Sequence, residues 1–121
     1  MSLHWSDEQY AAYLRRGQPA QVPPVSEAAW MTTVRRLARE AGYTFQYHVF
    51  DSRRTVYGWP DLALCHREPG RPLYLIECKT DTGQVTAAQT AWLEALAGST
   101  GVVAEVWRPS MVEEVLERLR G

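Results

Sequence analysis

Lysine is almost missing from this chain. Of 13 fixed positive charges in 121 residues, twelve are arginine and one is Lys79. Arginine holds its proton, whereas lysine is a compact point charge whose pKa moves with burial and charged neighbours. A bias toward arginine codons explains the scarcity of lysine but not its position, beside a carboxylate in Leu75-Ile76-Glu77-Cys78-Lys79. Cysteine is nearly as rare. Cys65 and Cys78 alone make no zinc box, CxxC redox pair or iron–sulfur set. Both fall in predicted strands and read as buried small hydrophobes rather than a disulfide. No apolar run approaches the roughly 20 residues needed to span a bilayer. Residues 1–8 lack the basic and apolar regions of a secretory signal, so the expected location is the cytoplasm.

The net charge is −1, which by itself argues mildly against nucleic acid as a partner. The charge is uneven, however. Arg15, Arg16, Arg35, Arg36, Arg39, Arg53 and Arg54 crowd the first half, while Glu105, Glu113, Glu114 and Glu117 load the end. A local basic face therefore stays open. Hydrophobic content of 45% with five tryptophans fits one ordinary globular domain.

Ser6 to Arg16 suits a short helix, and Gly17 to Pro24 is a proline-rich linker. Residues 1–24 thus read as an arm, and 25–121 as the domain proper. Ser26 predicts an N-cap for a helix ending at Gly42, with Trp30, Val34, Leu37 and Ala41 facing inward. Thr44–Phe50 reads as a strand. Pro60–His66 and Leu73–Lys79 read as a hairpin closed at Gly70. A helix over Ala87–Ala97 and a strand over Val102–Trp107 follow. Ser110 with Glu113 predicts a capping box for a last helix. The order is helix, three strands, helix, strand, helix, an α/β sandwich.

Alternation along a strand puts Glu77 and Lys79 on one face. The open end of the hairpin brings Asp61 alongside them. Two carboxylates converging with an ammonium could hold Mg²⁺, with the Cys78 carbonyl as a further oxygen ligand. Lys79 would then position a water and stabilise charge on a phosphate. The plainer reading is a strand-end ion pair, which contributes little.

Glu27 shares the stripe of Trp30, Val34 and Leu37, and an inward carboxylate needs a partner such as a metal. Alternatively it only complements the helix dipole. Gln89 lies on the face of Trp92, Leu93 and Leu96, yet it also matches a capping box with Thr86; the two roles are compatible. Arg53 and Arg54 could clamp a phosphate or simply be solvated. His48 reads as a sheet-surface residue, and His4 and His66 lack partners at ligand spacing.

Three runs, Gly58-Trp59-Pro60-Asp61-Leu62-Ala63-Leu64, Leu73 to Lys79, and Gln84 to Leu93, resemble in order the PD-(D/E)XK nuclease superfamily. Within it, the chain is similar to stand-alone VRR-NUC domains of phages and bacteria, over residues 26 to about 108. The resemblance implies a restriction-endonuclease-like core with a central mixed four-stranded sheet flanked by helices. It implies hydrolysis of DNA phosphodiesters with Mg²⁺ or Mn²⁺. On this likeness Asp61, Glu77 and the Cys78 carbonyl bind metal, Lys79 assists the water, and Glu27 and Gln89 support the site. It further implies a homodimer acting on branched DNA such as Holliday junctions. A catalytically silent DNA-binding or scaffold protein, and a single-strand nuclease or exonuclease of the same superfamily, are the alternatives.

Overall fold

The computed structural model describes residues 25–49 and 56–121. The arm at 1–24 and the pair Arg53 and Arg54 lie outside the described residues. Helix α1 (Glu27–Glu40) starts where Ser26 Oγ accepts the Ala29 N–H at 3.1 Å. It stops where Gly42 takes a positive φ. Its inward side buries Trp30, Val34 and Leu37, as the spacing predicts, and Met31 and Ala38 besides. Ala41 is only half buried and packs at the edge of the core.

Four strands follow in the spatial order of the chain: β1 (Phe45–His48), β2 (Leu62–Cys65), β3 (Leu73–Cys78) and β4 (Val102–Trp107). The first three run antiparallel, while β3 and β4 are parallel. Parallel neighbours need a crossover, supplied here by helix α2 (Ala87–Ala97). The assigned strands are shorter than the apolar runs suggest. Val49 nevertheless continues the pairing, its N–H donating to the Asp61 carbonyl at 2.9 Å.

One sheet face carries Leu62, Leu64, Tyr74, Ile76, Cys78 and Trp107 into the core. There they meet α1 and the last helix, α3 (Val112–Arg120), through Val112, Val115 and Leu119. The capping box expected from Ser110 and Glu113 does not form. A 3₁₀ turn at Pro109–Met111 comes first, helix α3 starts after Met111 with no side-chain cap, and the Ser110 N–H is held by Asp81 Oδ1.

The opposite face is covered by α2 over β3 and β4. It leaves β1 bare, with Phe45 68% and Tyr47 63% exposed. Cys65, paired with Phe45, is exposed for the same reason, so only Cys78 is the buried thiol that the sequence suggests.

Candidate active site

Leu62 pairs with Ile76, so the next step toward the open end of the hairpin sets Asp61 against Glu77. Asp61 Oδ2 accepts the Cys78 N–H at 3.1 Å, which ties its carboxylate to the neighbouring strand. Glu77 is buried, its side chain only 3% exposed. Its Oε2 accepts from Gln89 Nε2 at 3.2 Å and lies 3.7 Å from Lys79 Nζ. As a carboxylate, its Oε1 has no hydrogen-bond donor among the described residues.

The electrostatics follow from that geometry. Burial first, then the Asp61 carboxylate, pushes the Glu77 pKa up to about 8, against the opposing pull of Lys79. One ammonium does not compensate two close carboxylates in a desolvated corner. A hard divalent cation would, and an orphaned buried oxygen beside a second carboxylate is the donor chemistry that such a cation takes. Among the described residues, no three His, Cys, Asp or Glu side chains gather as a ready-made cage. Any ion here would therefore depend on Asp61, Glu77, backbone carbonyl oxygen and water. The Cys78 thiol is no ligand: it lies in the core, where burial holds its pKa far above the usual range.

Gln89 both closes a cap and reaches Glu77. Its N–H donates to Thr86 Oγ1 at 3.1 Å, and its Oε1 accepts the Thr86 N–H at 2.9 Å, closing a capping box. That leaves Nε2 to donate to Glu77, so the helix cap itself fixes the orientation of the amide.

The turn before Asp61 docks on the same end of α2. Gly58 has φ +90, and a Cβ there would sit 2.7 Å from the Ala88 carbonyl carbon. Trp59 stands edge-on to Trp92, with centroids 5.1 Å apart. Gly58→Ala is therefore expected to cost about 1–3 kcal/mol in backbone strain and more from the clash. Gly70→Ala, at φ +91 with open space around it, should incur strain alone. Urea unfolding of both variants tests this: equal losses would remove the argument that this contact positions Asp61.

Sequence reasoning missed two supports. The Trp107 carbonyl accepts both the Trp30 indole N–H at 2.8 Å and the Lys79 backbone N–H at 3.1 Å. It therefore joins α1, β4 and the lysine in one knot. A tryptophan on a buried stripe needs such a partner, which was the available signal. Arg108 holds the loop after Lys79, donating to the carbonyls of Thr80 at 2.6 Å and Gly83 at 2.9 Å. Nothing local in the sequence announces that.

Glu27 departs from expectation. It is exposed, because the helix begins beyond the edge of the core and Trp30 is the first residue over it. It lines, with Asp61, His48 and Arg35, a groove of about 640 Å³ between α1 and the sheet edge. His48 is likewise not an outer-surface residue. It sits half-buried in that groove, and burial followed by Arg35 lowers its pKa against the pull of Asp61.

No helix among the described residues is long and apolar enough to cross a membrane. Comparison with curated proteins and with solved structures gives no match. The model of the VRR-NUC domain family matches residues 8–110, starting within the segment read as an arm and spanning every strand of the sheet. With the ordered motifs seated at one end of a four-stranded mixed sheet, the chain belongs to the VRR-NUC family and is a PD-(D/E)XK-type nuclease domain of restriction-endonuclease-like fold.

Proposed function

We propose that this nuclease domain is a Mg²⁺- or Mn²⁺-dependent DNA endonuclease that hydrolyses phosphodiester bonds, with branched DNA as its preferred substrate. The observation that carries the reading is the buried Glu77 carboxyl, orphaned at Oε1, opposite Asp61 and beside the only lysine. Asp61, Glu77 and the Cys78 carbonyl would hold the ion, which when bound supplies charge neutralisation at a phosphate and a more acidic water. Gln89 fixes the Glu77 carboxyl through Oε2. The Cys78 N–H does the same for Asp61.

Hydrolysis adds a water oxygen to phosphorus as the bond to a sugar oxygen breaks; the water loses a proton and the departing oxygen gains one. Lys79 Nζ donates hydrogen bonds to the incoming water and to the phosphate oxygens that gain charge. Labelled single-stranded, duplex, flap and four-way-junction DNA, incubated with Mg²⁺ or Mn²⁺, test the proposal. Metal-dependent cutting strongest on a branched substrate is expected. Preference for single strands would select the exonuclease or single-strand alternative. Binding without cleavage in Mn²⁺ would leave the silent DNA-binding reading.

We also infer a symmetric homodimer, which would hold two sites at a fixed separation for cutting two strands. The bare β1 face, with Phe45 and Tyr47 projecting from it, supports this. Phe45→Ser with Tyr47→Ser is expected to convert the dimer to monomer by light scattering at micromolar concentration. A wild-type monomer would sink the two-strand version.

A further inference from the structure

The groove beside Asp61 is polarised along its length, and the polarity comes from one face of α1. Glu27, Met31, Arg35 and Arg39 succeed each other at four-residue intervals and all line it. Residues so spaced stack on one side of a helix, with neighbouring Cβ atoms about 5–6 Å apart. The row therefore runs from a carboxylate in the stretch that Asp61 also lines to two guanidiniums, about 12 Å and about 18 Å further along the axis. His48 and Val49 form the facing wall.

Arg35 is set in place by β1. Its Nε donates to Gln46 Oε1 at 3.0 Å, while Gln46 Nε2 donates to the carbonyls of Arg35 at 2.9 Å and Tyr43 at 3.0 Å. This leaves the outer edge of the guanidinium, both Nη atoms, without a hydrogen-bond partner among the described residues. Arg39 has none at any nitrogen among the described residues, and it is exposed. Two guanidiniums with Nη donors unused among the described residues, in a groove that Asp61 also lines, match a strand of phosphodiesters. A single row of cations suits one strand rather than both strands of a duplex.

We propose that this groove holds the nucleic-acid strand that adjoins the scissile phosphate, with Arg35 and Arg39 contacting successive phosphates of that strand. The inference rests on the nuclease reading above. It assigns a substrate-positioning role to α1 that neither the acidic overall balance nor the pair Arg53 and Arg54 suggested. The arginines act at a distance from the reacting atoms, so their loss should appear in KM and not in kcat.

The experiment is steady-state cleavage of a labelled DNA substrate by wild type, Arg39→Gln, Arg35→Gln and, as a charge-matched control, Arg120→Gln on α3. Arg39→Gln and Arg35→Gln are expected to raise KM several-fold with kcat nearly unchanged, and to reduce the log–log salt slope by about 0.7–0.9 per contact. Arg120→Gln should match wild type. In parallel, neutral methylphosphonates are placed singly at positions on either side of the cleavage site. Substitution at one or two adjacent positions should raise the wild-type KM and have no further effect in Arg39→Gln. That coupling keeps the test valid even where Arg35→Gln folds poorly. Equal KM and salt slope in Arg39→Gln and Arg120→Gln, with no methylphosphonate coupled to Arg39, would overturn the groove while leaving the nuclease intact. Absence of cleavage by wild type would instead fail the nuclease reading itself.

Discussion

Lys79→Ala is expected to lower kcat for DNA cleavage by about 10²–10³-fold, the usual loss for one charge-stabilising donor. It should do so while changing unfolding free energy near neutral pH by less than about 1 kcal/mol. The two halves of the prediction have one cause. Lys79 Nζ lies 3.7 Å from Glu77 Oε2 with its side chain 15% exposed, so an ionised pair here would be partly buried. Removing one partner of such a pair is usually severe, because the other charge is left uncompensated. Glu77 escapes that penalty in the metal-free protein: its pKa of about 8 lets it keep a proton near neutrality. Lys79→Arg retains the charge but replaces a point donor by a planar fork, and is not expected to restore turnover. Cleavage rates with denaturant unfolding of each variant check both halves. Undiminished turnover in Lys79→Ala would remove the catalytic claim.

The second large effect concerns Glu77→Gln in chelator. Burial and Asp61 raise the Glu77 pKa from 4.5 to about 8 in the fold. Between those values the unfolded chain releases a proton that the native state keeps. Stability is therefore fully present below about 4.5 and declines as pH rises toward 8. The slope attributable to this group is at most about 1.4 kcal/mol per pH unit. Glutamine matches the shape of the protonated acid and cannot titrate. The variant should equal wild type near pH 5 and be the more stable near pH 8, while losing cleavage. Mn²⁺ added near pH 8 should raise the wild-type Tm through preferential binding to the native state, and leave the variant unmoved. Parallel stability curves for the two proteins, or an equal response to Mn²⁺, would refute the account of Glu77.

Much of this was legible along the chain. Ser26, the Trp30-Val34-Leu37 stripe, the two hairpin runs and the Thr86–Gln89 box are local signals, and each produced the element it announces. The one lysine two residues after a strand glutamate announced the Glu77–Lys79 pair of the candidate site, because side-chain alternation on a strand requires no further information. Failures came where burial depends on what lies opposite. Cys65 is in its strand as expected but faces the bare half of the sheet. Glu27 keeps its helical phase but falls beyond the edge of the core. Ser110 has the residue type of a cap, yet Pro109 favours a preceding 3₁₀ turn.

The sequence by itself determined the order of elements, the α/β class and the identity of the acid–acid–lysine trio, since these rest on periodicity, turn chemistry and spacing. Only the tertiary structure decided how charged that trio is. The depth of Glu77 depends on α2 crossing back over β3, and its orphaned oxygen on Gln89 taking one side of the carboxyl while no described residue takes the other. The setting of Arg35 in its groove likewise depends on β1 lying beside α1, where Gln46, eleven residues away in sequence, bonds to it. Desolvation and long-range hydrogen bonds depend on the arrangement of segments in space, and no local pattern encodes them.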